Sequence, residues 1–227
     1  MEKKMTKKDL TQPDSFQLAL GRITAFISEN KSKIYIAMSV AVLMLFLFAG
    51  WYLYRNNQEN NAQMLYTQAH IATIRGSLSG GQLDHSTLKL YQDVVSRYPD
   101  TKAAHLAHYR MGNIFYRLDD IETSIKSYQA CLKNVSRNNE LTTLAYIGLG
   151  YCYESKKDFK SALESFENAA KTKSAGNFES INLRNIARIH EELNNREKAI
   201  EYYKKALEKT SDPSVEQFIK RKISSLG

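Results

Sequence analysis

Residues 34–54, IYIAMSVAVLMLFLFAGWYLY, limit most strongly how this chain can fold. These 21 consecutive residues include no formal charge. As an α-helix rising about 1.5 Å per residue they would extend roughly 31 Å, close to the thickness of a bilayer's hydrocarbon core, about 30 Å. A buried helix of a soluble protein normally keeps a polar face, and a cleaved signal peptide has a shorter apolar region nearer the N-terminus. The sequence therefore predicts an uncleaved, single transmembrane helix.

Charged residues on either side of this stretch predict its orientation. Only Arg55 follows it closely, and the next basic residue is Arg75. The basic residues that precede it are Lys3, Lys4, Lys7, Lys8, Arg22, Lys31 and Lys33. Because basic residues are retained on the cytoplasmic side, we expect, in a bacterial inner membrane, a cytoplasmic tail at 1–33, a transmembrane helix at 34–54 and a periplasmic domain at 55–227.

The tail has two parts. Residues 1–12 are polar and lysine-rich, and we expect them to be disordered. From Asp14 onward apolar side chains recur at helical spacing: Phe16, Leu18, Leu20, Ile23, Phe26 and Ile27. This pattern predicts a short amphipathic helix on the inner membrane surface. The alternative is a loosely structured tail that contacts the bilayer only through Lys31 and Lys33.

Beyond residue 55 the chain repeats itself. Segments that begin at His105, Thr143 and Ser180 align, with starts 38 and 37 residues apart. Small residues recur at places 8, 20 and 27 and an aromatic residue at place 24: Gly112, Gly150, Ala187; Ser124, Ala162, Ala199; Cys131, Ala169, Ala206; Tyr128, Phe166, Tyr203. Small side chains let two helices approach, and the ring fills the space against the next helix. The pattern resembles the tetratricopeptide repeat, a helix pair of about 34 residues.

Both ends of the array can be recognised. A degenerate fourth unit precedes the others, with Thr87, Tyr91, Val94 and Pro99 at places 20, 24, 27 and 32. After Pro213 an amphipathic stripe predicts a capping helix through Val215, Phe218, Ile219, Lys222, Ile223 and Leu226. We therefore predict an all-α fold: a single N-terminal transmembrane helix, then a tetratricopeptide-repeat superhelix of about four helix pairs and a C-terminal capping helix.

The connection between the span and the array is predicted to be helical at first. No proline occurs between Arg55 and Pro99, so the span can continue as a helix to about Arg75. Gly76 and the Gly80–Gly81 pair are typical of a helix end and a loop.

The sequence lacks the residue patterns that are typical of catalytic or metal-binding sites. The chain has no GxSxG, HExxH or GxxxxGK[ST] motif, and His108 and His190 fall at packing places of their repeats. The formal net charge of +8 is spread over the chain rather than clustered as in a nucleic-acid-binding patch. We expect no enzyme activity, cofactor, metal, small-molecule substrate or nucleic acid. Cys131 and Cys152 match no zinc or disulfide pattern, and their pairing is left open.

Tetratricopeptide arrays bind partners through the concave face that their first helices line, at places such as 2, 5, 6, 9, 12 and 13. Ile147, Glu154 and Glu191 occupy such places here, among tyrosines and arginines, the side chains that most often anchor protein interfaces. The candidate partner-binding residues are Tyr109, Arg110, Asn113, Tyr116, Arg117, Tyr151, Arg184, Asn185 and Arg188. They would suit a peptide with acidic or C-terminal carboxylate groups. The alternative is an ordinary solvated surface.

Several short strings resemble one family. FISEN precedes the apolar stretch and GWYLY closes it, INLRNIARI lies at 181–189, and DPSVEQFIKRKISSL lies near the C-terminus. With the architecture, they resemble the YfgM-like proteins, ancillary subunits of the bacterial SecYEG translocon. The resemblance implies an inner-membrane scaffold whose periplasmic repeats associate with Sec translocon subunits and a periplasmic chaperone of the prolyl isomerase type, and help exported polypeptides.

Two other functions stay open on the sequence. The string SRYPDTKAAHLAHYRMGNIFY, at 96–116, looks more like repeats in envelope proteins of outer-membrane assembly or the Tol-Pal system, although those lack such a span. An envelope-assembly or cell-wall-complex adaptor is therefore one alternative. If the topology were inverted, the protein would instead be a membrane-bound regulator facing the cytoplasm.

Overall fold

The computed structural model describes residues 15–78, 85–133, 135 and 140–227. The tail lysines Lys3, Lys4, Lys7 and Lys8, the predicted disorder of residues 1–12 and the loop signal at Gly80–Gly81 lie outside these residues. The chain divides into two compact units, residues 1–56 and residues 57–227. Each is described by itself.

The first unit contains helix α1, Ser15–Glu29, and the first part of helix α2, Lys31–Leu78. A helix, α1, thus occupies the residues for which a short amphipathic helix was predicted. Asn30 separates the two helices, yet its backbone N–H still donates to the Phe26 carbonyl at 3.1 Å, and the N–H of Ile34 donates to the Asn30 carbonyl at 3.0 Å. Helical hydrogen bonds therefore bridge the junction.

The apolar side chains of the first unit are not buried within the protein. Phe16, Phe26, Phe46 and Leu53 are all at least 64% exposed. Among the described residues, α2 is the one helix that is long and apolar enough to cross a membrane. It continues to Leu78, slightly beyond the end predicted near Arg75, because Gly76 is accommodated in its last turn.

The second unit is a series of packed helix pairs. Its helices after α2 are α3 (His85–Arg97), α4 (Lys102–Arg117), α5 (Ile121–Leu132), α6 (Glu140–Ser155), α7 (Phe159–Ala170), α8 (Glu179–Glu192), α9 (Arg196–Leu207) and α10 (Pro213–Leu226). Helix α4 packs against α5, α6 against α7 and α8 against α9, and each pair packs on the next. These pairs are the three repeat units predicted, so the predicted all-α repeat fold is confirmed.

The predicted packing places are buried in every unit. The small residues Gly112, Gly150, Ser124, Ala162, Ala199 and their counterparts all lie in the interior. The aromatic rings at place 24, Tyr128, Phe166 and Tyr203, are at most 2% exposed. Each ring belongs to a different core cluster, so the core runs along the array from unit to unit.

The C-terminal part of α2 completes the degenerate fourth unit. Ala62, Tyr66 and Ala69 of α2 share a core cluster with Tyr91 and Val94 of α3. The sequence pattern predicted only the second helix of this unit. Its first helix is therefore the C-terminal part of α2.

Helix α2 also supports the start of α4. The two carboxylate oxygens of Glu59 accept the backbone N–H groups of Lys102, at 2.9 Å, and Ala103, at 3.2 Å. Thr101 caps the same helix, because its hydroxyl oxygen accepts the N–H of Ala104 at 3.1 Å. Three of the first N–H groups of α4 are thereby satisfied.

One corner conformation joins the two helices of each regular unit. Asp119, Lys157 and Asn194 have φ values of 61°, 59° and 57°, in the left-handed region. The next residue in each case donates its N–H to a carbonyl five residues back and caps the following helix with its own side chain: Asp120, Asp158 and Asn195. A left-handed residue at this point is the usual way to end one helix and satisfy its last carbonyls.

Helix α10 covers the end of the array as predicted, with one correction. Ile219 is fully buried against Ala187, Tyr203 and Ala206, and Val215, Ile223 and Leu226 pack around it. Phe218 was expected in the same stripe but is 40% exposed. Ile219 faces the cluster, and Phe218, rotated by 100° about the helix axis, lies at the solvent-facing edge of the stripe.

Candidate functional site

The nine candidate residues lie on the first helices of the three regular units. Five are on α4, one on α6 and three on α8. Because places 5, 6, 9, 12 and 13 share one face of a helix, these side chains form a row that crosses the units. We call this set, Tyr109, Arg110, Asn113, Tyr116, Arg117, Tyr151, Arg184, Asn185 and Arg188, the tyrosine–arginine row.

Arg188 connects two units of the row. Its Nε and one terminal nitrogen donate to the two carboxylate oxygens of Glu154, each at 2.6 Å. Its guanidinium carbon also lies 5.8 Å from the centre of the Tyr151 ring. The Glu154 carboxylate raises the pKa of the Arg188 guanidinium. Arg188 is therefore committed to a contact between α6 and α8, and its charge is balanced within the chain.

The two asparagines of the row hold tyrosine hydroxyls. The hydroxyl of Tyr128 donates to Oδ1 of Asn113 at 2.6 Å. Asn185, only 3% exposed, donates from Nδ2 to the Tyr151 hydroxyl oxygen at 3.0 Å. Both amides fix the position of an aromatic ring, so their main contacts are internal ones.

The N-terminal part of the row is the more accessible one. Arg110 donates from Nε to the Tyr66 hydroxyl at 3.3 Å and lies 6.0 Å from the centre of the Tyr109 ring. Tyr116 and Arg117 are exposed. The Tyr116 hydroxyl lies 3.2 Å from Oγ of Ser155, which links the first and second regular units. Large amphipathic side chains are thus available to a partner here.

At the other end of the row, Glu191 accepts two hydrogen bonds. The Tyr203 hydroxyl donates to one carboxylate oxygen, and Nζ of Lys222 in α10 donates to the other at 2.9 Å. Burial raises the pKa of Tyr203, and the Glu191 carboxylate raises it further. The capping helix is thereby held to the last unit by a partly buried network.

Arg184 differs from the other arginines of the row. Its side chain is half-buried, and its Nε is buried with no hydrogen-bond acceptor among the described residues. It is one helical turn before Arg188 on α8, on the same face.

Sequence reasoning missed the partners that the row uses within the chain. Tyr66 and Ser155 were not identified, Lys222 was predicted only as part of the capping helix, and Glu154 and Glu191 were recognised only by their places. Tyr66 offered a signal, since it precedes Ala69 and follows Ala62 at helical spacing. The pairing of side chains across units depends on how successive helix pairs are staggered, which a repeat pattern does not specify.

His190 and the two cysteines occupy packing positions. His190 is 5% exposed and stacks on Tyr202, with ring centres 5.4 Å apart. Cys131 and Cys152 are both free and buried, and burial raises the pKa of the Cys131 thiol to about 12. Among the described residues, no group of three or more His, Cys, Asp or Glu side chains is placed to hold a metal ion.

Comparisons with known proteins agree with this architecture. The family described as tetratricopeptide repeat-like domain matches residues 24–227. A crystal structure of MamA is 23% identical and covers 66% of this chain and 78% of its own, with a TM-score of 0.55. MamA 41-end from Desulfovibrio magneticus RS-1 is 15% identical and covers 66% and 76%, with a TM-score of 0.52. At these identities the likeness shows the fold alone. A comparison with curated protein sequences gives no significant match.

Proposed function

Since the chain belongs to the tetratricopeptide repeat-like domain family, we propose that it is a membrane-anchored scaffold that binds protein partners through the tyrosine–arginine row. The exposed aromatic and guanidinium groups at Tyr116 and Arg117 support this assignment most directly. Such side chains supply large contact areas and directional hydrogen bonds. The function requires no chemical step, so we assign no catalytic residue, cofactor or metal.

We further propose that residues 34–54 cross the bacterial inner membrane, with residues 1–33 in the cytoplasm and 55–227 in the periplasm. The supporting observations are a helix whose apolar side chains are nearly all exposed and an excess of basic residues before it. The exposed apolar face of α1 favours an amphipathic helix on the inner membrane surface.

The topology is tested by cysteine labelling in intact spheroplasts. Both native thiols are buried, so an introduced cysteine reports its own surroundings. A membrane-impermeant maleimide should modify Ser211→Cys before permeabilisation and Ser28→Cys only after it. External protease should likewise remove the repeat domain. The reverse labelling pattern, with a protected repeat domain, would establish the cytoplasmic-facing regulator instead.

The partners that we propose are subunits of the Sec translocon, a periplasmic chaperone and exported polypeptides. The support is the resemblance of FISEN, GWYLY, INLRNIARI and the DPSVEQFIKRKISSL string to YfgM-like proteins, together with the proposed periplasmic location. In this role the repeat domain links the translocon to chaperones while polypeptides emerge.

Photo-crosslinking identifies the partners. A photoreactive side chain is placed at Tyr116 or Arg117, which are exposed on the row, and at Lys126, an exposed residue of α5, as the matched control. We expect translocon or chaperone subunits to be captured from the row and not from Lys126. Capture of outer-membrane or septal proteins would instead support the envelope-assembly adaptor. Equal labelling from all three positions would contradict binding through the row.

A further inference from the structure

Among the half-buried cations on or beside the first-helix face, Arg184 differs from the others. Arg188 is paired with Glu154, Lys222 with Glu191, and Arg110 donates to the Tyr66 hydroxyl. No such partner is found for Arg184 in the described part of the chain, and its Nε is shielded from solvent. The exposed Arg117 is different, because water can hydrate its guanidinium.

An unpaired, half-buried guanidinium is unfavourable for folding. Arginine stays protonated at any physiological pH, so it cannot relieve the burial by losing its charge. A buried donor that finds no acceptor loses the hydrogen bonds that it made to water in the unfolded chain. An apolar side chain of similar length would fold more favourably at this position.

The two glutamates of the first-helix face, Glu154 and Glu191, already have partners. Both oxygens of Glu154 accept hydrogen bonds from Arg188. Glu191 accepts from Tyr203 with one oxygen and from Lys222 with the other. In each of the pairs Arg188–Glu154 and Lys222–Glu191, one positive charge is balanced by one negative charge. The positive charge of Arg184 is therefore left in excess on this part of the row.

We infer that Arg184 is the anchor for a carboxylate of the bound protein partner. A carboxylate at the row would draw the guanidinium outwards by rotation about its terminal bonds, and would accept the donors that the chain leaves unpaired. Such charge-assisted hydrogen bonds are the strong ones in protein interfaces. This inference rests on the proposed function, since it names the chemistry of the group that the row binds.

Peptide retention tests the inference on the full chain in nanodiscs. The probe is a mixture of random octapeptides built from uncharged residues, prepared as the free C-terminal acid, as the C-terminal amide, and as the amide with one internal Asp. Retained peptide is quantified by mass spectrometry. We expect at least one carboxylate form to be retained roughly tenfold or more above the neutral amide. The third mixture shows whether a side-chain carboxylate suffices or a chain terminus is required.

Three variants separate binding from folding. Arg184→Met should abolish the carboxylate preference while leaving the thermal midpoint equal to or above that of the wild type. Arg184→Lys should retain part of the preference, because a charge remains without the planar pair of donors. Arg221→Gln, on the exposed side of α10, should behave as the wild type.

Two results would overturn the inference. One is that the wild-type chain retains neither carboxylate mixture, the free C-terminal acid or the amide with one internal Asp, above the neutral amide. The other is an unchanged carboxylate preference in Arg184→Met. The proposed function is rejected by a different result, namely that photoreactive side chains at Tyr116 and Arg117 capture no partner in cells. If those positions do capture a partner but Arg184→Met keeps the carboxylate preference, only the role of Arg184 as the carboxylate anchor is rejected.

Discussion

The Tyr128 ring lies so close to Gly148 that a Cβ added to this glycine would stand 2.4 Å from the ring's Cζ atom. On its other side, a Cβ added to Gly112 would stand 2.7 Å from the same ring. Tyr128 belongs to α5, Gly112 to α4 and Gly148 to α6. One ring therefore fills the contact between two successive units, and it needs a glycine on both sides.

Gly148→Ala is expected to destabilise the repeat domain. Alanine favours the helix by roughly 1 kcal/mol over glycine, but forcing a methyl group against a buried ring typically costs about 1–3 kcal/mol. We expect a net loss in the free energy of unfolding, measured from urea unfolding of the full chain in detergent micelles. Gly176→Ala is the matched control, because a Cβ there meets nothing within 4 Å. Equal stabilities of the two variants would contradict this packing.

The ion pair between Arg188 and Glu154 is expected to couple the second and third regular units. Its side chains are 38% and 23% exposed, so solvent weakens the pair. A double-mutant cycle with Arg188→Ala and Glu154→Ala should give a coupling energy of about 0.5–1 kcal/mol. The pair of Lys156 and Glu122, whose side chains are 41% and 66% exposed, is the control and should give a smaller, more salt-sensitive value. A coupling energy no larger than in the control would show that the pair does not join the units.

Acid is expected to destabilise the fold through three histidines. Burial lowers the pKa of His105, His108 and His190 below 6.5, with His105 adding to the effect at His108 and Lys198 adding to it at His190. The unfolded chain therefore takes up protons at a higher pH than the folded chain. Their contribution to stability is complete above pH 6.5 and is lost as the pH falls below it.

The measurement is the thermal midpoint of the full chain between roughly pH 7.5 and 5.5, a window around the ordinary histidine pKa. It should fall in the wild type. Replacing all three histidines with Gln should flatten the dependence, whatever its effect on stability at neutral pH. A slope that stays unchanged in the triple variant would assign the acid sensitivity to other groups.

Glu59→Ala is expected to loosen the start of α4. The Glu59 carboxylate accepts two backbone N–H groups that have no partner within the helix. Loss of a cap typically costs about 0.5–2 kcal/mol in the free energy of unfolding. Hydrogen exchange at the amides of Lys102 and Ala103 should accelerate, while exchange in α8 should not. Glu208→Ala, an exposed residue just after α9, is the control. Unchanged exchange at Lys102 and Ala103 in Glu59→Ala would contradict the capping role.

The sequence pattern was sufficient for the helix pairs and their interior. The burial of the residues at places 8, 20, 24 and 27 could be predicted, because helix packing tolerates only small side chains or a ring there. The same constraint recurs in every unit. Tyr128, Phe166 and Tyr203 are accordingly buried. The constraint is local, so it is visible in one sequence without any structure.

The first helix of the degenerate unit was harder to predict from the sequence. Ala62, Tyr66 and Ala69 pack as a repeat helix, but the residues between Leu78 and His85 lengthen the connection and shift the numbering of the places. The row was predictable as a set of positions on one face. Which side chains pair across units, such as Glu154 with Arg188, follows from the stagger of neighbouring helices.

The corners at Asp119, Lys157 and Asn194 make the array modular in an evolutionary sense. Each corner closes on hydrogen bonds from residues within its own unit, and the corners are 38 and 37 residues apart along the chain. Excising or duplicating the segment between two equivalent corners leaves every remaining helix with an intact end. The length of the binding surface can therefore change by duplication of whole units, because no new turn between helices has to be formed.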